Sequence, residues 1–338
     1  MLKLEERFFA LEGNIYPGGP STWYIMDSDQ RRLVSVTMDE ELESADPAVE
    51  HLSNHIDDLE LDVFEIHVSS QGDLISTSTD LEDDNTFCPF YAPLETIEEP
   101  GDIQVVPRSK LQELDRLGPL VDLVTDLQSS KPSKRLVFKY YFVYQRMSRV
   151  WNEMNLWMCL PKHPNIVPFD KIVIDELEGR CIGFTTKYIE GGPLDENRSR
   201  VFKLKWLLQL IAIMDELNLN LGARNDVDGV VFTTYELITG DYELRSVEHE
   251  QQKVSDIEAI EWTKHADVQL DHPVAEFRKV LDQWSLERRK DSNRINTYKD
   301  APNYIEWPTM PQPTPSEVVV SYTTGPMKES RVLWSTER

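Results

Sequence analysis

The chain has 338 residues, of which 40% are hydrophobic and 28% are charged, an ordinary balance for a globular protein. Its formal net charge is -25, and such a field repels both nucleic acid and anionic lipid. We therefore expect neither nucleic acid nor a membrane as a partner. An anion such as ATP would need a local cation or a metal ion to bind.

Cysteine usage and apolar run lengths predict an intracellular protein, either cytoplasmic or nuclear. Cys88, Cys159 and Cys181 lie far apart without metal-ligand spacing, and the apolar surroundings of Cys159 and Cys181 are typical of small core residues. This profile fits a reducing compartment. The first residues show no apolar run long enough for a signal peptide, and no run is long enough to span a membrane.

The N-terminal region, residues 1–104, has the pattern of short strands between acidic loops. Residues 21–27 and 31–39 are predicted to pair as a hairpin. Apolar and polar residues alternate from 64 to 68, which is typical of a half-buried strand, and residues 72–80 suit an edge strand. No catalytic constellation is present here, so we interpret this region as a β-rich acidic extension of unknown role.

A lysine and a glutamate in the middle of the chain are predicted to form an ion pair. Lys139 lies in a predicted strand, residues 135–142, whose apolar neighbours shelter its stem. Glu153 lies on the margin of the apolar face of a predicted helix, where a half-buried carboxylate needs a cation. The alternative is an isolated lysine on a strand and an isolated glutamate on a solvated helix edge. The sequence HPNIV that follows favours the pair.

Three helices are predicted in the C-terminal half of the chain. Residues 199–220 have an apolar stripe at helical spacing, and Asn225 or Asp226 can cap the next helix, a mostly apolar segment. Residues 243–269 are acidic and predicted to be helical and exposed, and Pro273 begins a last amphipathic helix. Its inward residues are predicted to be Val274, Phe277, Leu281 and Trp284, and its outward residues Arg278, Lys279, Arg288 and Arg289.

Six segments together resemble a family of fungal protein-kinase-like proteins: FKYYF, WNEMNLW, LPKHPNIVPFD, GFTTKYIEGGPL, FKLKWLLQL and RNDVDGVVFTTYELIT. In that family an acidic β-rich extension precedes a divergent kinase domain. The resemblance implies an α+β, protein-kinase-like two-lobed fold. Its parts would be the extension at 1–104, a small β-rich lobe with its hinge at 105–192, a truncated helical large lobe at 193–290, and a largely disordered, proline-containing tail at 291–338.

The resemblance also implies site residues. Lys139 would be the ATP-binding lysine and Glu153 its partner on the helix. Asp226 would be the buried aspartate that opens the central helix of the large lobe and steadies the catalytic loop. The hinge that hydrogen-bonds adenine would be the backbone of four residues that precede a glycine pair: Lys187, Tyr188, Ile189 and Glu190.

The chain departs from the kinase pattern at the phosphate-binding loop. Kinases use several glycines there, so that backbone amides can approach the ATP phosphates. In residues 103–125 only Gly118 is available, and Pro119 after it has no amide hydrogen. Arg108 or Arg116 could contact phosphate instead, although an exposed arginine on a helix or turn is the simpler interpretation of each.

A second departure removes the catalytic machinery. Kinases place a catalytic loop, a magnesium-binding loop and an activation segment between the two helices that correspond to 199–220 and to the Asp226 helix. Here residues 221–225 alone separate Asn220 from Asp226. No carboxylate is left to orient a hydroxyl group or to hold magnesium. We therefore assign no catalytic residue and no metal ligand, expect ATP as a possible ligand without magnesium, and expect no phosphate transfer.

Three functions remain open at this stage. The first is a pseudokinase or truncated kinase that acts through binding ATP or a protein partner. The second is an active Ser/Thr-type kinase whose catalytic segment is missing from this gene model or splice form. The third is an interaction module that binds no nucleotide. Without the missing loops, an apolar set on the Asp226 helix needs another cover: Val230, Val231, Phe232 and Tyr235.

Overall fold

The protein is described here by a computed structural model, which shows a mixed α+β chain. The described residues are 2–86, 90–97, 103–129, 134–142, 147–160, 162–194, 200–217, 226–247, 251–290, 310–311, 320–322 and 331–333. They divide into two compact units, the first formed by residues 1–158, 169–188 and 308–338 and the second by residues 159–168 and 189–307. Within the described part of the chain, no helix has both the length and the apolar character needed to cross a membrane.

The first sheet of the first unit has five strands in the order β1-β2-β3-β4-β5. The strands are β1 (Phe8–Ile15), β2 (Ser21–Asp27), β3 (Arg32–Met38), β4 (Glu65–Val68) and β5 (Leu74–Ser78), with helices α1 (Leu4–Arg7) and α2 (Asp46–His55). The predicted hairpin is confirmed, because β2 and β3 pair antiparallel over their whole length. The alternation in β4 and the edge position of β5 are confirmed as well. The strand β1 and the helix α2 were not predicted.

The second sheet has six strands in the order β6-β10-β11-β9-β8-β7. They are β6 (Gln104–Pro107), β7 (Leu111–Gly118), β8 (Val121–Asp126), β9 (Arg135–Tyr140), β10 (Phe169–Ile174) and β11 (Cys181–Lys187). Helix α3 (Met147–Cys159) connects β9 to β10. All neighbours pair antiparallel except β6, which pairs parallel with β10.

The second sheet has an apolar core on each face. Trp151 and Met154 of α3 pack with Phe184 of β11 on one face. On the other face Phe138 and Tyr140 of β9 pack with apolar residues of β6, β7, β8 and β10. This division follows from the alternation of side chains along β9, and it places Lys139 on the α3 face.

Two predictions for this unit are wrong. Arg116 was expected on an exposed turn or helix, but it lies within β7 and its side chain is only 10% exposed. Cys159 was expected in the core, but it is exposed at the end of α3, whereas Cys181 is buried as predicted. Burial raises the pKa of the Cys181 thiol to about 12.

The second unit is mostly helical. Its elements are β12 (Val201–Phe202), α4 (Leu204–Leu217), α5 (Asp226–Thr239), α6 (Val254–Glu258), β13 (Gln269–Leu270) and α7 (Val274–Lys290). The strands β12 and β13 pair parallel, so the predicted helix at 199–220 starts several residues later than expected. Asp226 begins α5 and Pro273 precedes α7, as predicted.

The segment 243–269 is not the exposed helix that its acidic composition predicted. Among the residues of this segment that the structure describes, only α6 and a short 3-10 turn are helical, and Val254, Ile257 and Trp262 are buried. Trp262 meets Tyr235 of α5 edge to face, with 5.3 Å between the ring centroids. Arg278 of α7 was expected to face outward, but its guanidinium lies over the Trp262 ring and donates to the carbonyl oxygens of residues 258 and 260.

This irregular segment supplies part of the cover that α5 requires. Five apolar residues of α5 are almost completely buried in one core with residues of α4, α6 and α7: Val230, Val231, Phe232, Tyr235 and Ile238. The described residues of the second unit therefore bury this face of α5 in a core of their own.

The tail prediction lies largely outside the described residues. Within the described part, Met310 packs against the core beneath α3, and β14 (Val320–Tyr322) pairs antiparallel with β15 (Arg331–Leu333).

Candidate functional site

The ion pair predicted from the sequence is present. Lys139 lies on β9, between β8 and β11, and its Nζ donates a hydrogen bond to Oε1 of Glu153 on α3. Gly183 allows β11 to approach closely here, because a Cβ at this position would lie 2.1 Å from the carbonyl oxygen of Lys139. The alternative of two isolated charges is excluded.

Helix α3 fixes the position of the glutamate. Trp151 and Met154 are buried on either side of Glu153 in the sequence, so the carboxylate lies at the margin of the buried face. The indole Nε1 of Trp157 also donates to Oε1 of Glu153, at 3.4 Å. The sequence predicted this placement because the apolar residues recur at helical spacing.

The Lys139–Glu153 pair is hydrogen-bonded and is also accessible to solvent. The side chains of Lys139 and Glu153 are 31% and 33% exposed. An ion pair with this exposure contributes about 0–1 kcal/mol to stability, so stability alone is a weak reason for it. An accessible ammonium group held by a carboxylate can donate to an anionic ligand such as a phosphate group.

The predicted hinge residues fall at the end of β11. Lys187 is the last residue of the strand and pairs with Leu136, and the amide of Tyr188 donates to the carbonyl oxygen of Arg135 at 3.2 Å. These two residues belong to the first unit, whereas Ile189 and Glu190 belong to the second unit and are exposed. Their contact with adenine stays a prediction.

Asp226 occupies the predicted place in the chain, as the first residue of α5. Its side chain lies outside the described part of the structure, as do residues 218–225. Its role in steadying a loop therefore stays a prediction.

The same sheet carries a second ion pair, which was not predicted from the sequence. The carboxylate of Asp126, at the end of β8, is 2% exposed and accepts a hydrogen bond of 2.6 Å from Nζ of Lys171 on β10. Burial alone would raise the pKa of this carboxyl, but the hydrogen bonds from Lys171 and from the amide of Gln128 outweigh it and lower the pKa below its usual value. No local pattern links these residues, because they are 45 positions apart in the chain.

This second pair predicts a pH-dependent stability. We expect Asp126→Asn to lower the free energy of unfolding at pH 7 by about 1.5–3 kcal/mol, because a buried charged hydrogen bond is lost. Since the folded-state pKa lies below the unfolded one, the stabilisation is present above the unfolded pKa, near 4, and is lost as the pH falls through the folded value.

The measurement is urea unfolding of wild type and variant at pH 7 and near pH 3, at low protein concentration because the pI is near 4.6. The exposed Asp58→Asn is the control and should have little effect at either pH. If the two proteins differ in the free energy of unfolding by the same amount at both pH values, the ion pair is not the cause of the stabilisation by Asp126.

Within the described ranges, no three side chains of histidine, cysteine, aspartate or glutamate come together as a metal site. No model of a known protein family matches the chain. None of the curated proteins is significantly similar to it.

Proposed function

We propose that the chain is a protein-kinase-like protein that binds ATP through Lys139 and transfers no phosphate. The observation that carries the proposal is the accessible ion pair between Lys139 on β9 and Glu153 on α3. In protein kinases the ATP-binding lysine lies on the third strand and pairs with a glutamate of the helix that follows. Here β9 is the third strand of the antiparallel run that begins with β7, and α3 follows it.

The turn between β7 and β8 supports a reduced form of phosphate binding. It consists of Pro119 and Leu120 and follows Gly118, the last residue of β7, so it cannot present the series of backbone amides that a glycine-rich loop presents. Recognition of the phosphates would then depend on the ammonium group of Lys139. We expect an affinity lower than that of an active kinase for the same reason.

The proposed lack of phosphate transfer rests on the sequence between α4 and α5. It contains no aspartate that could orient a hydroxyl group, and the chain has no magnesium-binding loop after it. Bound ATP would therefore act as a ligand that stabilises one conformation.

The buried face of α5 favours this function over an active kinase with a missing segment. A helix left without its normal cover would expose Val230, Phe232 and Tyr235, yet all three are buried within the second unit. Sequencing transcripts across the codons for Asn220 and Asp226 tests the alternative directly. A transcript that encodes a catalytic segment at this junction would revive it.

The experiment that tests ATP binding is a thermal unfolding series with three chains. For the wild type we expect millimolar ATP to raise the melting temperature by about 2–5 °C, with or without magnesium. Lys139→Met should lose this increase. Lys134→Met is the matched control, because Lys134 forms an ion pair with Asp170 on the same sheet and is 43% exposed, so it should keep the increase.

Glu153→Gln separates a binding role from a structural one. Because the pair is accessible, we expect the variant to change the melting temperature without ATP by only about 1–3 °C. The increase caused by ATP should shrink, since Lys139 loses the carboxylate that orients it. ATP stabilisation that is equal in all four proteins would contradict the proposal. If ATP stabilises none of them, the interaction module without nucleotide is the better account.

A further inference from the structure

The β2–β3 turn of the first sheet contacts the β7–β8 hairpin of the second sheet within the first unit, and each hairpin contains one strained residue. Arg31, in the turn between β2 and β3, has φ 54°, and Leu120, in the turn between β7 and β8, has φ 63°. Among the described residues, these are the only two non-glycine residues with positive φ. This conformation is unfavourable for both residue types and persists only where the surroundings enforce it.

Arg31 enforces the contact from the side of the first sheet. Its Nη2 donates to Asp122 on β8 and to Glu113 on β7, each at 2.7 Å, and its Nε donates to the hydroxyl oxygen of Tyr140 on β9 at 2.9 Å. The Asp122 side chain is 0% exposed, so this carboxylate depends on its cationic neighbours. One guanidinium thus links three adjacent strands.

Arg116 makes the reciprocal contact from the side of the second sheet. It lies on β7, and its Nη1 donates to the carbonyl oxygens of Ser28 and Asp29, at 2.7 and 2.5 Å. Both acceptors belong to the turn that carries Arg31. Arg31 of the first sheet therefore holds strands β7, β8 and β9, and Arg116 of the second sheet holds the β2–β3 turn. Charge-assisted hydrogen bonds are among the stronger ones in proteins.

The contact between the two sheets lies next to Lys139 in the second sheet. Tyr140 is its neighbour on β9, and the amide of Tyr140 donates to the carbonyl oxygen of Leu120 at 3.1 Å. Val121, the residue after Leu120, is the partner of Lys139 across β8 and β9. Successive residues of a strand point to opposite faces, so the first sheet contacts the face of β9 opposite to the one that carries Lys139.

We propose that the N-terminal sheet is an intramolecular clamp on the β7–β8 hairpin, and that Arg31 and Arg116 are positioning residues for Lys139. In kinases, phosphate contacts to a glycine-rich loop order the corresponding hairpin. The β7–β8 hairpin has no such loop, and the clamp orders it instead. The part that concerns Lys139 rests on the proposed function. The part that concerns the hairpin does not, and it can be tested without nucleotide.

The test compares hydrogen exchange of backbone amides in the full chain. Arg31→Met alone would leave Asp122 buried without its main partner, so the principal variant is Arg31→Met combined with Asp122→Asn. We expect exchange in β7 and β8 to accelerate by about tenfold or more, because their local opening is no longer opposed by the clamp. Exchange in β10 and β11 should change less than about twofold.

Arg32→Met is the matched control. Arg32 is adjacent in the sequence, but its side chain donates to Gln30 and to the carbonyl oxygens of Glu60 and Val63, all within the extension. It should leave exchange in β7 and β8 unchanged. Arg31→Lys retains the charge without the three-way contact and should give an intermediate acceleration.

A second experiment measures the ATP affinity of the wild type and of the same variants by calorimetric titration. We expect the principal variant to bind ATP about tenfold more weakly than the wild type, with Arg32→Met unchanged. Exchange that is unchanged in the hairpin, or accelerated equally in every strand, would overturn the clamp. A local acceleration with unchanged ATP affinity would overturn the positioning role. A wild type that binds no ATP would overturn the proposed function and the positioning role, while the exchange result still decides the clamp.

Discussion

Replacing Trp151 with alanine should lower the local stability of the second sheet by about 3–5 kcal/mol, the cost of truncating a fully buried aromatic residue. Trp151 is 0% exposed and is the largest of the fully buried side chains of the described core. It fixes α3 against Phe184 on the sheet, and Glu153 lies two residues further along the helix. If Lys139 binds ATP as proposed, the same change should also weaken ATP binding.

The measurement is native-state hydrogen exchange of the amides of β9 and β11, which reports the free energy of local opening. Asn152→Ala is the control, because Asn152 is the adjacent, exposed residue of the same helix. It should change this free energy by less than about 0.5 kcal/mol. A Trp151→Ala protein with unchanged exchange in β9 would contradict the packing of α3 on the sheet.

Replacing Phe277 with alanine should destabilise the second unit by a comparable amount, about 3–5 kcal/mol. Phe277 lies on α7, is 0% exposed, and stacks on Phe202 with 5.2 Å between the ring centroids. The reason for a large effect is that α7 is part of the cover of α5. A loss of this size is a substantial fraction of the stability of a domain and could unfold the unit completely.

Exchange of the amides of α4 and α5 measures this loss. Leu286→Ala is the matched control on the same helix, since Leu286 is 54% exposed, and it should have only a small effect. Equal effects of the two variants would mean that α5 lacks a closed cover in solution. In that case the account of a self-sufficient second unit would be wrong, and a missing segment would again be the better explanation.

The ion pair and its two elements could be predicted from the sequence because each has a strong local signal. The helix α3 has apolar residues at helical spacing, and Lys139 lies within an apolar strand pattern. A charge of each sign at the edge of a buried surface requires a partner, and the order of the elements brings these two together. Cys181 and the inward face of α7 were predictable for the same reason.

Other elements left little signal in the sequence. Helix α2 buries only Ala48 and Leu52, so its apolar stripe is too short to distinguish from chance. In the segment 243–269 the buried residues are spaced irregularly, while the abundant charged residues suggested a helix that tertiary packing does not form. Hydrophobic spacing identifies regular elements, and it does not identify an irregular segment that covers a core.

The clamp could not be predicted, because its partners are distant in the chain. Arg31 and Tyr140 are 109 positions apart, and Arg31 and Asp122 are 91 apart. The one local indication was Asp122 itself, an acidic residue between the apolar residues Val121 and Leu123 of β8. A buried aspartate implies a cationic partner, but the sequence does not say which of the basic residues it is.

Calorimetric titration of the full chain with ATP, in the presence of a chelator that removes divalent ions, measures directly whether Lys139 binds ATP. We expect one binding site in the wild type and an affinity at least about tenfold lower in Lys139→Met, because a charged hydrogen-bond donor to phosphate is removed. Lys134→Met should bind as the wild type does. The absence of binding in the wild type, or an unchanged affinity in Lys139→Met, would contradict ATP binding through Lys139.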